Sequence, residues 1–69
     1  MYTKANTRIG LWFERDRASV ILYDENDKEL AEWWDEDVQE AVENGFLDPK
    51  DWHASALEYV NENWTDRTP

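Results

Sequence analysis

Asp51, His53 and Ser55, three residues within five positions, carry the side chains of a proton relay and a hydroxyl nucleophile. Their spacing argues against that chemistry. On a helix, positions two apart do not face one another, so His53 cannot serve Ser55 as its general base. His53 is the single histidine of the chain and there is no cysteine. Thiol nucleophiles, disulfides, cysteine–zinc sites and histidine-rich metal centres are thereby removed. The run Asp24-Glu25-Asn26-Asp27 invites a calcium loop. An EF-hand needs ligands at alternating positions, a glycine at the sixth and a bidentate glutamate at the twelfth. Counted from Asp24, those positions hold Lys28 at the fifth, Glu29 at the sixth and Asp35 at the twelfth, so the run reads as a solvated turn. Paired carboxylates abound, but acid–base catalysis needs one of them in an apolar pocket beside a substrate cleft. A domain this small buries only about 60% of its unfolded surface and has little room for either. The expectation is a non-enzymatic protein with no metal and no cofactor.

What remains is charge. The 69 residues carry 17 Asp and Glu against 7 Lys and Arg, a net −10. The imbalance is local. Residues 1–23 hold four bases and two acids, a net +2, whereas residues 24–69 hold 15 acids and three bases, a net −12. Within residues 24–43 ten acids face one base, a net −9. Direct binding to nucleic acid or an anionic membrane needs a basic footprint, which this segment inverts. A rigid surface with rows of carboxylates can instead stand in for duplex phosphates and occupy the basic groove of a nucleic-acid-binding protein. Long-range attraction would speed that encounter. The expected binding surface is Glu36, Asp37, Glu40 and Glu43 on a helix, extended by Asp24, Glu25, Asp27 and Glu29. The plainer reading is a solvated face that keeps a small protein soluble, or an adaptation to salt in a chain with only three Lys.

High charge and a mean hydropathy of −0.97 suit a disordered tail. Five Trp, three Tyr and two Phe do not, because they supply the large apolar areas that a small core requires. One domain over residues 1–69 is expected, with polar ends that fray at about 1–6 and 65–69. No apolar run approaches the ~20 residues of a membrane span, and the start lacks the apolar stretch of a leader, so the expected location is cytoplasmic.

The elements that would position these residues follow from periodicity. A two-residue loop at Arg15-Asp16 sets Phe13 opposite Ala18, Leu11 opposite Val20 and Ile9 opposite Leu22, with Glu14 facing Arg17. A second turn at Asn26-Asp27 makes residues 29–34 a third strand, with Ala31 opposite Leu22 and Trp33 opposite Val20. The competing pattern takes Asn26 as a helix cap and aligns Leu30, Trp34, Val38, Ala41 and Val42 as one helical stripe. The strand is preferred, because three strands are more viable than two. A helix follows from Asp35 or Asp37 to Asn44, with Asp37 and Glu40 spaced as a cap pair and Gly45 ending it. A second starts with Asp48 as N-cap and Pro49 as first helical residue, and presents Trp52, Ala56, Leu57, Val60 and Trp64 at helical spacing. The fold class is α+β: a three-stranded antiparallel meander followed by two helices, in the order β-β-β-α-α.

This register leaves Trp12, Ile21, Tyr23, Leu30 and Trp34 on the second face of the sheet. If both helices cover the Ile9, Leu11 and Phe13 face, that second face is an apolar patch of the kind that marks an interface. If the helices divide between the faces, all the tryptophans are core. The first arrangement supports an alternative function, an assembly protein that homodimerises through its aromatic face or a free strand edge, with the charge serving solubility.

Overall fold

The computed structural model describes the backbone of residues 2–65 and the side chains of residues 2–63. A short 3-10 turn, Lys4–Asn6, leads into strands β1 (Thr7–Glu14), β2 (Arg17–Asp24) and β3 (Glu29–Trp34), then helices α1 (Glu36–Glu43) and α2 (Trp52–Thr65). The sheet is an antiparallel meander in the order β1-β2-β3. Glu14 pairs with Arg17, Phe13 with Ala18, Leu11 with Val20 and Ile9 with Leu22, so apolar parity alone selected the register. The two-residue turn has positive φ at Arg15 (52°) but not at Asp16, the pattern of a type II′ turn, whose first position favours glycine. Replacing Arg15→Gly is expected to raise stability by about 1 kcal/mol, read by urea unfolding; a loss would show that the arginine side chain outweighs the backbone cost.

The second hairpin differs from the two-residue loop expected at Asn26-Asp27. The loop holds three residues. Asp24 N–H bonds the Lys28 carbonyl (2.9 Å), and one oxygen of the Asp24 carboxylate accepts the N–H groups of both Asn26 (2.8 Å) and Lys28 (2.9 Å). Asp27 closes the loop at φ 63°. Val20 still pairs with Trp33 and Leu22 with Ala31, but Tyr23 now pairs with Glu29, and a bulge absorbs Leu30. Leu30 therefore packs against the core instead of joining the row expected on the second face.

Both helices lie on the side of the sheet that carries Val20, Leu22 and Trp33, and α1 touches β2 and β3 whereas α2 crosses all three strands. The core joins these residues to Val38 and Ala41 of α1, Leu47 of the connection and Ala56, Leu57 and Val60 of α2. Trp33 meets Tyr59 edge-on, with ring centroids 5.4 Å apart. Trp64, expected in the same stripe, lies outside the described side chains. The helical layer does not cover the far end of the first hairpin: Leu11 is 43% exposed and Phe13 55%, although Phe13 retains a tilted ring contact with Trp52. Of the two arrangements left open, both helices on one face is the one found, but of Ile9, Leu11 and Phe13 only Ile9 packs against the core. On the opposite face Ser19 sits between its neighbours Trp12 and Trp34, 3% exposed, and its hydroxyl finds no hydrogen-bond partner among the described residues. Ser19→Ala is expected to raise stability by about 1 kcal/mol, because an unsatisfied buried hydroxyl is lost. Unchanged or lower stability in urea unfolding would contradict this.

The helix ends depart from expectation in detail. Helix α1 starts at Glu36, directly after a one-residue junction, and this sharp entry forces Asp35 to φ 38°. Asp35 N–H bonds the Ala18 carbonyl at 2.6 Å and its own carbonyl accepts from Gln39, so it joins the sheet to the helix. Asp37 and Glu40 lie within the helix and are not a cap pair. The end is as read: Gly45 has φ 80°, and the N–H groups of Gly45 and Phe46 return to the carbonyls of Val42 and Ala41. Helix α2 begins three residues later than Asp48-Pro49 suggested. Asp48 closes a preceding turn by accepting Lys50 N–H (2.8 Å), and Asp51 is the residue that caps the helix, through Ala54 N–H (3.0 Å).

Candidate functional site

Helix α1 is eight residues long and two-sided. Val38 and Ala41 are buried, whereas Glu36, Asp37, Glu40 and Glu43 are all exposed. None of these four carboxylates forms an ion pair among the described residues. Glu36 and Asp37 occupy the first turn, where the helix dipole favours negative charge. With a rise of 1.5 Å per residue, four carboxylates over seven steps give one charge per roughly 3 Å of axis. That is close to the ~3.4 Å per charge along one DNA strand.

The surrounding acids divide by role. Glu29 lies opposite Tyr23, and beside it Glu32, which the sequence reading did not single out, faces the same open side of the sheet. A hydrogen bond to Glu32 and the repulsion of its charge raise the Glu29 carboxyl above its ordinary 4.5. Glu29 and Glu32 thus crowd two carboxyl groups together on β3 beside α1. Glu25 is exposed at the tip of the second hairpin. Asp24 and Asp27, expected in the same surface, are structural here. Asp24 ties the loop as described, and Asp27 pairs with Arg8 Nε at 2.9 Å while the Arg8 guanidinium stacks over Tyr23 at 4.1 Å. What separates these two from the free acids is the three-residue turn, and no composition signal reveals it.

A second acidic zone lies on the far side of α2. Asp48, Asp51, Glu58 and Glu62 line an open groove of about 300 Å³ whose walls include Phe46 and Tyr59. These acids are spread over fifteen positions, so no local charge run announced them.

Of the aromatic row, Trp12 (46% exposed) and Trp34 (50%) stand open on the uncovered sheet face, and Ile21 and Tyr23, farther along β2 on that face, are half-buried. Trp34 precedes α1 by a single residue, which places an exposed indole at the head of the carboxylate helix.

His53 and Asp51, whose spacing with Ser55 spoke against a relay, tie the first residues to α2, and Ser55 holds the turn before that helix. His53 Nε2 lies 2.8 Å from Thr7 Oγ1, and that hydroxyl donates its proton to the Thr3 carbonyl, so Nε2 is the donor. Ser55 Oγ accepts from Asp48 N–H and donates back to the Asp51 and Trp52 carbonyls. Asp51 pairs with Lys4 at 3.0 Å. Asn61 exchanges two hydrogen bonds with the Tyr2 backbone, so the start expected to fray is stitched to α2. The Ala54 N–H and then Lys4 lower Asp51 below its ordinary 3.8. Burial, and after it the Lys4 charge, lowers His53 below 6.5, with Asp51 opposing. A histidine held neutral in this way contributes stability that is complete above about 6.5 and fades as pH falls below that value. Thermal unfolding is therefore expected to show a loss on mild acidification that His53→Gln removes; parallel pH profiles for the two proteins would contradict this.

Among the described residues no three His, Asp or Glu side chains converge as a metal site, and no helix is long and apolar enough to cross a membrane. Comparison with protein-family models, with curated proteins and with solved structures finds no match to this chain.

Proposed function

We propose that this protein is a non-enzymatic binding module, an inhibitor that occupies the basic groove of a nucleic-acid-binding protein with the carboxylates of α1 in place of phosphates. The observation that carries the reading is the spacing of Glu36, Asp37, Glu40 and Glu43: four exposed acids, with no ion pair among the described residues, on one short, buttressed helix. Glu29 and Glu32 extend the negative zone onto β3, and Trp34 offers an apolar anchor at its border. Rigidity matters, because a preformed array loses less entropy on docking than a flexible tail. The mechanism is steric and electrostatic competition and needs no cofactor.

The test is capture of partners from a cell lysate on the immobilised protein, followed by elution with duplex DNA and with rising salt. The reading expects retained proteins that bind nucleic acid, displaced by duplex and released by salt. Partners without a nucleic-acid-binding surface, or capture indifferent to both eluents, would overturn it.

A further inference from the structure

The two edges of the sheet are not alike. Edge strand β3 is short, is broken by the bulge at Leu30 and carries Glu29 and Glu32, the devices that protect an edge from further pairing. Edge strand β1 is longer, has no bulge and carries its charges, Arg8 and Glu14, only toward its ends. It runs eight residues in unbroken register, and its middle, Leu11-Trp12-Phe13, is 43%, 46% and 55% exposed, with side chains on both faces. Its backbone is also available. A two-residue hairpin closes on a pair that exchanges both hydrogen bonds, here Glu14 and Arg17, so Trp12, Gly10 and Arg8 also bond to β2. The same alternation turns Ala18 toward β3, where its carbonyl accepts Asp35 N–H. Ile9, Leu11 and Phe13 therefore direct their N–H and carbonyl groups away from the sheet.

We infer that this edge pairs with β1 of a second copy, antiparallel and centred on Leu11, joining the two sheets into one of six strands. The strand is self-complementary in that register. About a two-fold axis through Leu11, Leu11 meets itself, Ile9 meets Phe13 of the second copy, Gly10 meets Trp12 and Arg8 meets Glu14. Each pair shares a face, apolar residues meet on the helical side, and opposite charges meet on the open side. Tyr23, whose ring lies over Gly10, is the neighbour against which the incoming Trp12 packs. Moving the axis by one residue separates Arg8 from Glu14 and removes the charge match. The distribution of charge agrees: residues 1–23 carry a net +2, while the acidic helix α1 lies over β2 and β3, away from the proposed junction. The inference is independent of what the carboxylates bind.

Sedimentation equilibrium over a concentration series tests it. The wild type is expected to show the mass of two chains at the upper end. Leu11→Lys sets two ammonium groups against each other at the axis and should return the mass of one chain without altering the far-UV circular dichroism. Should that variant unfold, Glu14→Arg, which sets like charges against Arg8 across the junction and leaves the Arg8–Asp27 pair in place, must weaken the dimer. Register is read by single cysteines, since the chain has none. Hydrogen-bonded partners stand about 5.5 Å apart between Cα atoms, within disulfide reach. Leu11→Cys should therefore oxidise to a linked dimer and Phe46→Cys, exposed elsewhere, should not. A wild type of one-chain mass throughout, a dimer that survives Leu11→Lys, or equal cross-linking at both positions would overturn the inference.

Discussion

Trp33→Ala is expected to remove about 3–5 kcal/mol from the stability of this domain, while Trp34→Ala one position later costs less than about 1 kcal/mol. Trp33 is 8% exposed, pairs with Val20 and abuts Tyr59, whereas Trp34 is 50% exposed on the uncovered face. Truncating a buried tryptophan costs about 3–5 kcal/mol. A chain of this length has about 3–10 kcal/mol in total, at 0.05–0.15 kcal/mol per residue. Urea unfolding followed by far-UV circular dichroism should thus show a Trp33→Ala protein whose midpoint falls by roughly a third or more and a Trp34→Ala protein close to wild type. Equal losses would mean that both indoles are core and that the helices do not share one face. The contrast bears on function as well, because Trp33 fixes the end of β3 and hence the angle at which Asp35 launches α1.

The second large effect concerns binding. Replacing Glu36→Gln, Asp37→Asn, Glu40→Gln and Glu43→Gln together should leave the fold intact, since all four are exposed, none forms an ion pair among the described residues, and the amide that replaces the Glu43 carboxylate can still accept from the Gln39 amide. Removing like charges from one helix stabilises it slightly, offset by weaker dipole interactions in the first turn. Affinity for a captured partner should fall by about fourfold to several hundredfold, taking roughly 0.2–1 kcal/mol for each exposed contact. Unfolding midpoints beside binding isotherms separate a lost interaction from a lost fold. A variant that binds like wild type would move the interaction to another surface, the groove between Phe46 and Glu62 being the other acidic one.

The strand order and the first register were legible because Ile9, Leu11 and Phe13 match Leu22, Val20 and Ala18 across only one loop length. The choice of strand over helix for residues 29–34 rested on Ala31 and Trp33 continuing the same face, and the pairing with Leu22 and Val20 agrees. Local signals misled where two residues offered the same chemistry. Asp48-Pro49 and Asp51 can each open a helix, and the Lys4 pair and the Ala54 cap decide for Asp51. Asn26-Asp27 can form a tight turn, but the Asp24 carboxylate binds two N–H groups and widens the loop by one residue. The tie between Tyr2 and Asn61 spans 59 positions and left no trace in local pattern. As for the site, exposure of the α1 acids followed from helical spacing around Val38 and Ala41. That Asp24 and Asp27 hold a loop, and that Glu32 crowds Glu29, depended on a turn and a bulge that composition does not encode.

In the proposed function α1 acts through its charge. The most direct measurement is the affinity of wild type and of the four-carboxylate variant for one captured partner as a function of salt concentration. The account predicts a steep fall in wild-type affinity as salt rises, a markedly shallower slope for the variant, and convergence of the two at high salt. Parallel slopes, or a wild-type affinity indifferent to salt, would contradict it.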